Sequence, residues 1–306
     1  MKLSFIVATR NRSSVVGYCL DSIAGALARS GGVDAEIVVV DNGSTDGTSE
    51  AMRAWASSNA IPSQLLYEAK KGISAAHNRA LRYARGDILC FTDDDCRLHT
   101  DYVKDLLRHD LKDSSLVVRG GRIELGDETD LPLTINTDQT VTRWSLSERS
   151  ARAKRLCGRI NGCNMVMRRK VIELIGGFDE QFGAGSYVGS GGDSDFLFRS
   201  YIAGIIIEYV PDMVVFHYHG RKTYEEGRNL MRRYTMANGA LWTRYFFKHP
   251  DLCQIFYHDF REAAVGLFTG KNQWAGFSHK QRIFYTLFGV VKYVLRPRQC
   301  LSWLSA

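Results

Sequence analysis

Three consecutive carboxylates, Asp93, Asp94 and Asp95, follow the apolar run from Ile88 to Thr92. Charges of one sign packed so closely repel one another and disfavour folding unless a cation or a hydrogen-bond network compensates. Mg²⁺ and Mn²⁺ prefer hard oxygen ligands, and commonly take one or two carboxylates while substrate phosphates complete the shell. Taken alone, the triplet also reads as an acidic turn exposed to water. Val214 to His219 reads as a strand whose alternation puts His217 and His219 on one face, where either could reach a metal or a diphosphate. His217 is the first choice of the two. Asp193 precedes Phe196, Leu197 and Tyr201 at helical spacing, which by itself fits an N-cap.

The elements that position these residues follow from periodicity. Leu3 to Ala8 and Ala35 to Val40 are short apolar runs, and Val16, Leu20, Ile23, Ala24 and Leu27 recur between them at helical spacing. This is a β-α-β unit, and continuous apolar strands of this kind suit a parallel sheet covered by helices on both faces. A helix from Thr48 toward Trp55, a strand at Leu65 to Tyr67, a helix opened by Gly72 and the strand Ile88 to Thr92 continue the pattern. Ligands in such folds bind beyond the carboxyl ends of the strands, where Thr9, Asp41 and Asp93 fall. Asp41 is placed there to accept hydrogen bonds from a base or ribose, or to shape a turn.

The rest of the chain is less regular. Gly126 to Arg143 reads as loop, and Arg149 to Arg159 is a basic run that fits a solvated helix face or contact with a phosphate-bearing ligand. Five of the ten residues from Gly183 to Gly192 are glycine, which predicts a mobile loop beside the site. Beyond residue 221 the pattern is helical and aromatic, so the expected division is 1–220 for the catalytic domain and 221–306 for a helical extension.

A chain of 306 residues, 45% hydrophobic and 24% charged, buries one good core with an appendage and is not disordered. Its opening apolar stretch, cut off at Arg10, is too short for a signal sequence or a membrane span, so a cytoplasmic location is expected. Seven scattered cysteines without a C-x-x-C pair suggest reduced, buried thiols. The net charge of +7 is compatible with nucleic acid, an anionic membrane face or phosphorylated small molecules.

Four segments resemble the family 2 glycosyltransferases, whose nucleotide-binding domain is the GT-A fold. They are Ser-Phe-Ile-Val-Ala-Thr-Arg-Asn-Arg (4–12), Ile-Val-Val-Val-Asp-Asn-Gly-Ser-Thr-Asp-Gly-Thr (37–48), Gly-Ile-Ser-Ala-Ala-His-Asn-Arg-Ala (72–80) and Gly-Asp-Ile-Leu-Cys-Phe-Thr-Asp-Asp-Asp (86–95). Order and spacing match as well. The resemblance implies that Thr9, Arg10 and Asp41 grip a uracil-type base, with Asn11 and Asp94 in the same nucleotide-binding set. It implies further that Gly72 and Asn78 line the nucleotide pocket, that Asp93 approaches ribose and metal, and that Asp95 ligates Mn²⁺ or Mg²⁺. His217 or His219 would join the metal.

Downstream, Gly191-Gly192-Asp193-Ser194-Asp195-Phe196-Leu197-Phe198-Arg199 resembles the family's acidic motif. By that match Asp193 is the general base of an inverting transfer, with Asp195 and Arg199 supporting it on the acceptor side. Two departures stand out. His77 replaces the usual Arg before Asn, leaving Arg79 or the basic run to meet the pyrophosphate, and Gly192 replaces the usual Glu before the base. The Gln-x-x-Arg-Trp motif of processive members is absent, since residues 229–234 read Asn-Leu-Met-Arg-Arg-Tyr.

The expected partners are a nucleotide-diphospho-sugar donor and a saccharide, lipid-linked or small-molecule acceptor. The apolar run Phe284 to Leu295, flanked by Lys280, Arg282, Arg296 and Arg298, suggests peripheral contact with the inner face of the cytoplasmic membrane, or packing on the catalytic domain. A nucleotidyltransferase would carry a Gly-rich phosphate loop after the first strand, where this chain has Ala8-Thr9-Arg10-Asn11-Arg12. A noncatalytic module for sugar nucleotides or nucleic acid would leave the Asp93 cluster and Asp193 without a task, so no nucleic-acid partner is expected.

Overall fold

The structure is a computed structural model that describes residues 1–146, 156, 158–250, 252, 254–269 and 276–296. Arg149, Arg152, Lys154 and Arg155 of the basic run, and Arg298, lie outside the described residues.

The first half alternates strand and helix as expected: β1 (Lys2–Thr9), α1 (Val16–Arg29), β2 (Asp34–Asp41), α2 (Thr48–Ser57), β3 (Ser63–Tyr67), α3 (Ile73–Tyr83) and β4 (Ile88–Asp93). These four strands are parallel in the order β3-β2-β1-β4. The first two central strands are buried along nearly their whole length, β1 from Leu3 to Val7 and β2 from Ala35 to Asp41. Helices on both faces account for such continuous apolar runs. In register, Thr9 pairs with Asp41 and Ala8 with Asp93, so three strand ends finish on one edge.

The second half adds β5 (Cys96–Leu98), α4 (Tyr102–Asp110), β6 (Val117–Leu125), β7 (Thr142–Trp144), β8 (Met165–Arg168), α5 (Arg169–Ile175), α6 (Gly192–Ile202) and β9 (Ile206–His217). The sheet continues β4-β8-β6-β9-β5, with β7 also on β9. Strand β8 runs antiparallel to β4 and β6, whereas β6 and β9 are parallel. The fold is therefore a mixed sheet whose parallel half supplies one side of the site. The stretch from Gly126 is loop as expected, until β7 begins at Thr142.

Among the described residues three helices follow: α7 (Tyr224–Tyr245), α8 (Gln254–Thr269) and α9 (His279–Val294). Helix α7 starts on a capping box in which Thr223 Oγ1 accepts from the Glu226 amide. Ala237, Ala240, Leu241, Tyr245, Phe256 and Tyr293 belong to the same buried cluster as Phe91, Phe178 and Phe196 of the sheet half. The helical segment thus shares one core with the preceding residues. Helices α7 and α9 approach closely because a Cβ at Gly239 would lie 2.0 Å from the Thr286 carbonyl oxygen, and one at Gly289 2.0 Å from that of Met236.

The glycine-rich segment 183–192 is held rather than loose. The Gly183 amide donates to the Ser190 carbonyl at 3.0 Å, and the Ile73 amide to that of Ala184 at 2.9 Å. Gly183, Gly185, Gly189 and Gly191 all have positive φ, so the glycines there provide left-handed backbone for a tight, anchored turn.

Candidate active site

The edge formed by β1, β2 and β4 carries the carboxylate cluster. Thr9, at the end of β1, donates its hydroxyl to Asp94 Oδ2 at 2.7 Å. Asn11 turns the chain with a φ of 53°. Arg12 then lies over the cluster, 3.6 Å from Asp94 Oδ1 and 3.5 Å from Asp95 Oδ2. Burial, and then the charge of Asp95, push Asp94 up to about 6 despite Thr9 and Arg12. Burial and Asp95 likewise push Asp93 up to about 7.

Asp95 behaves oppositely. Burial opposes its charge, yet His217 Nε2 at 3.3 Å from Oδ1, together with Arg12, holds its carboxyl below the usual range. His217 ends β9 directly across from Cys96 in the β5 pairing. Thr134 adopts a left-handed φ of 56°, and its hydroxyl lies 3.1 Å from His217 Nδ1. That hydroxyl also donates to the Leu133 carbonyl at 2.6 Å, so toward His217 it accepts. Nδ1 therefore donates to Thr134 while Nε2 meets Asp95, and despite burial that carboxylate raises the pKa of the imidazole.

Asp93, Asp95 and His217 each offer a ligand atom, all within 4.8 Å of one another. Two carboxylate oxygens and an imidazole nitrogen suit Mn²⁺, and two carboxylates suit Mg²⁺. The residues present fit the expected cation class.

Asp193 stands at the start of α6, half-buried and within electrostatic reach of Asp93. Burial raises its pKa despite hydrogen bonds from backbone amides. The Ser194 amide donates to Oδ1 at 2.7 Å and that of Gly162, in the 3₁₀ turn Gly162–Asn164, to Oδ2 at 3.3 Å. Gly191, not Asp193, stands at the N-cap; Asp193 lies inside the first turn, where its carboxylate accepts the Ser194 amide.

The other expected site residues fall into two groups. Asp41 accepts from the Ser44 amide at 2.8 Å and from the Ser49 hydroxyl, closing the turn after β2. Arg10 sits part-exposed beside Thr9, and Asn11 Oδ1 accepts from the Thr45 amide at 2.8 Å. Gly72 donates its amide to Asn42 Oδ1 at 2.9 Å, bringing the start of α3 up to the β2 end.

Asn78, by contrast, spends its side chain on the fold. Its amide donates to the Phe178 carbonyl at 2.9 Å and to Glu180 at 3.0 Å, while Oδ1 accepts from the Phe178 amide at 2.8 Å. His77 is buried against Phe91 and Phe178, and burial lowers its pKa to about 4. It is an apolar ring in the core and supplies no charge to a phosphate. Arg79 stacks on Tyr83 at 4.8 Å.

His219 lies beside His217, ring centroids 5.3 Å apart, but beyond the end of β9. Its Nε2 meets the Leu131 carbonyl at 3.0 Å and its Nδ1 Asp130 at 3.5 Å. It is absent from the group that can hold an ion, so the shared-face expectation puts one histidine, not two, at the site. Asp195 is fully buried, receiving the Tyr245 hydroxyl at 2.7 Å and Arg199 Nε at 2.9 Å, with Arg244 at 3.3 Å. This network ties α6 to α7.

Sequence reading singled out neither Arg12 nor Thr134 nor Gly162. Arg12 lay within the first matched segment and was findable as the cation nearest the carboxylates. Thr134 sits 83 residues from His217, in a stretch without periodicity, and no local signal marks it.

The strand-end carboxylates lie at the edge of a mixed, mostly parallel sheet flanked by helices, an α/β architecture. The chain belongs to glycosyl transferase family 2, whose sequence profile it matches over residues 4–176. It is 25% identical over 218 residues to the glycosyltransferase AglE of Haloferax volcanii, covering 70% of this chain and 66% of that one. It is 25% identical over 125 residues to the putative glycosyltransferase EpsH of Bacillus subtilis, covering 41% of this chain and 35% of that one. The chain thus spans less than two thirds of the length of these relatives.

Among solved structures, residues 1–349 of Staphylococcus aureus TarS superpose with a TM-score of 0.59 at 18% identity, covering 96% of this chain and 81% of that one. The Pyrobaculum calidifontis mannosyltransferase PcManGT, solved with GDP-Man and Mn²⁺, gives 0.58 at 20% identity, covering 96% and 87%. These likenesses establish the GT-A fold.

Proposed function

We propose that this chain transfers a single sugar from a nucleotide-diphospho-sugar, UDP-linked by preference, to an acceptor hydroxyl with inversion at the anomeric carbon. The observation that carries the proposal is the convergence of Asp93, Asp95 and His217 within 4.8 Å, with the half-buried Asp193 in electrostatic reach of Asp93. The solved complexes of TarS with UDP-GlcNAc and of PcManGT with GDP-Man and Mn²⁺ support the donor class.

In this reading Asp93, Asp95 and His217 hold a divalent cation, Mn²⁺ or Mg²⁺, which when bound neutralises negative charge on the donor's phosphates. Thr9, Arg10, Asn11, Asp41, Gly72 and Asp94 form the nucleotide side, Asp94 being fixed by Thr9 and Arg12. Asp193 takes the proton from the acceptor hydroxyl as it attacks the anomeric carbon from the face opposite the leaving diphosphate. A carboxylate with a raised pKa is the better base for that step. Asp195 and Arg199 position the α6 helix that carries it.

The division at residues 220 and 221 is kept as catalytic unit and extension, and the extension is proposed to rest on an anionic membrane surface. On α9, Phe284, Leu287, Phe288, Val291, Val294 and Leu295 follow one helical face and are all exposed, and Tyr257, Phe260 and Phe268 of α8 are exposed as well. Lys280, Lys292 and Arg296 belong to the same segment, Lys292 over the Tyr187 ring and Arg296 over that of Tyr293. No helix among the described residues is long and apolar enough to cross a membrane. The proposed location is the cytoplasmic face of a membrane, where a lipid-linked or saccharide acceptor of envelope or exopolysaccharide synthesis would be met. Co-sedimentation with anionic but not neutral vesicles supports this surface, and self-association without vesicle binding contradicts it.

The test of transfer uses purified chain, Mn²⁺ and a panel of nucleotide sugars. Slow release of nucleoside diphosphate is expected, with no turnover of nucleoside triphosphates. Asp193→Asn is expected to lose about 100-fold or more in rate while still binding donor, and retained transfer would refute the assignment.

A further inference from the structure

Directly behind the carboxylate cluster lies a second set of ligands. Cys96, Cys163 and His217 each offer one ligand atom within 4.8 Å of the others, and all three residues are buried. Cys96 stands opposite His217 across the β5–β9 pairing, and Cys163 enters from the 3₁₀ turn that also touches Asp193. Neither thiol is in a disulfide. His217 is common to this set and to the Asp93–Asp95 set.

We infer that Cys96, Cys163 and His217 form a site for a thiophilic divalent ion of the Zn²⁺ class, exclusive of the Asp93–Asp95–His217 site because both draw on one imidazole. Two cysteine sulfurs and one imidazole are a ligand set that proteins use for Zn²⁺, with water in the fourth position. Tetrahedral zinc with bonds of about 2.3 Å to sulfur holds its ligand atoms roughly 3.8 Å apart. Each thiol gives its proton to water on ligation, which a soft ion drives and a hard ion does not.

The consequence is selective. Mg²⁺ and Mn²⁺ stay on the carboxylate side, whereas Zn²⁺ turns His217 toward the sulfurs and removes a ligand from the first set. A soft ion therefore inhibits. That consequence rests on the proposed transfer function, but the site itself does not.

Cobalt(II) tests the site without any donor. The full chain, reduced and kept free of oxygen, is expected to take up one Co²⁺ with sulfur-to-cobalt charge-transfer absorption in the near ultraviolet, bleached by Zn²⁺. Cys96→Ser and Cys163→Ser should each lose that band and weaken Zn²⁺ binding by at least about 10-fold. Cys90→Ser, a buried thiol outside the set, should keep both. Melting curves verify that the variants fold, and two independent positions guard against loss of one. A wild-type spectrum without the thiolate band overturns the site, as does a band that survives both substitutions. Zn²⁺ inhibition of donor turnover that vanishes in Cys163→Ser supports the exclusion, and equal inhibition of both proteins refutes it. If the cobalt spectrum appears but no donor is turned over, the transfer proposal fails and the metal site stands.

Discussion

Thr134 holds His217: its hydroxyl, 3.1 Å from Nδ1, accepts a hydrogen bond and leaves Nε2 facing Asp95 at 3.3 Å. A residue that orients a metal-binding imidazole through its far nitrogen is commonly worth about 10- to 100-fold in metal affinity. Thr134→Val removes the acceptor at nearly constant shape, and a loss within that range is expected in a Mn²⁺ titration. Thr134→Ser should restore most of the affinity. Equal affinity in all three proteins would mean that the contact is only structural.

Asp195 has a different task and a different signature. Its carboxylate is fully buried among Arg199, Arg244 and the Tyr245 hydroxyl. Asp195→Ala leaves two guanidinium groups without their partner, a loss of about 3 to 5 kcal/mol when a buried pair is broken. The measurement is the urea midpoint, which should fall sharply. If stability holds and only the acceptor KM changes, Asp195 belongs to acceptor recognition instead.

The carboxylates predict how pH acts on the free protein. Asp93 and Asp94 are raised to about 7 and about 6 in the fold, above the ordinary carboxylate value. A raised carboxylate stabilises the fold below its unfolded pKa, near 4, and that contribution is lost as pH rises through about 6 to 7. Cation binding needs the ionised ligands and runs the other way. Added Mn²⁺ should therefore raise the melting temperature more at about pH 8 than at about pH 5.5. A larger gain at the acidic pH would contradict this assignment of protons.

What the chain reveals about itself before folding is uneven for physical reasons. Continuous apolar runs such as Ile37 to Val40 and the Asp93–Asp95 triplet are local patterns, so the parallel half of the sheet and its acidic edge were legible. The antiparallel strands β5, β7 and β8 are three or four residues long and take shape only by pairing with distant partners. Polar residues were the hardest to assign, because a side chain can satisfy either a ligand or a neighbouring loop. Asn78 and His219 turned out to hold Phe178 and Leu131, while Thr134, in an unpatterned loop, holds the histidine of the site.

The most direct measurement is calorimetry of UDP binding in the presence and absence of Mn²⁺, on the wild-type chain and on Asp95→Ala. Heat of binding that requires Mn²⁺, and that weakens at least about 10-fold in Asp95→Ala, is the expected result. UDP that binds equally well with a chelator present, or a variant indistinguishable from wild type, would contradict a cation held between these carboxylates and a donor's phosphates.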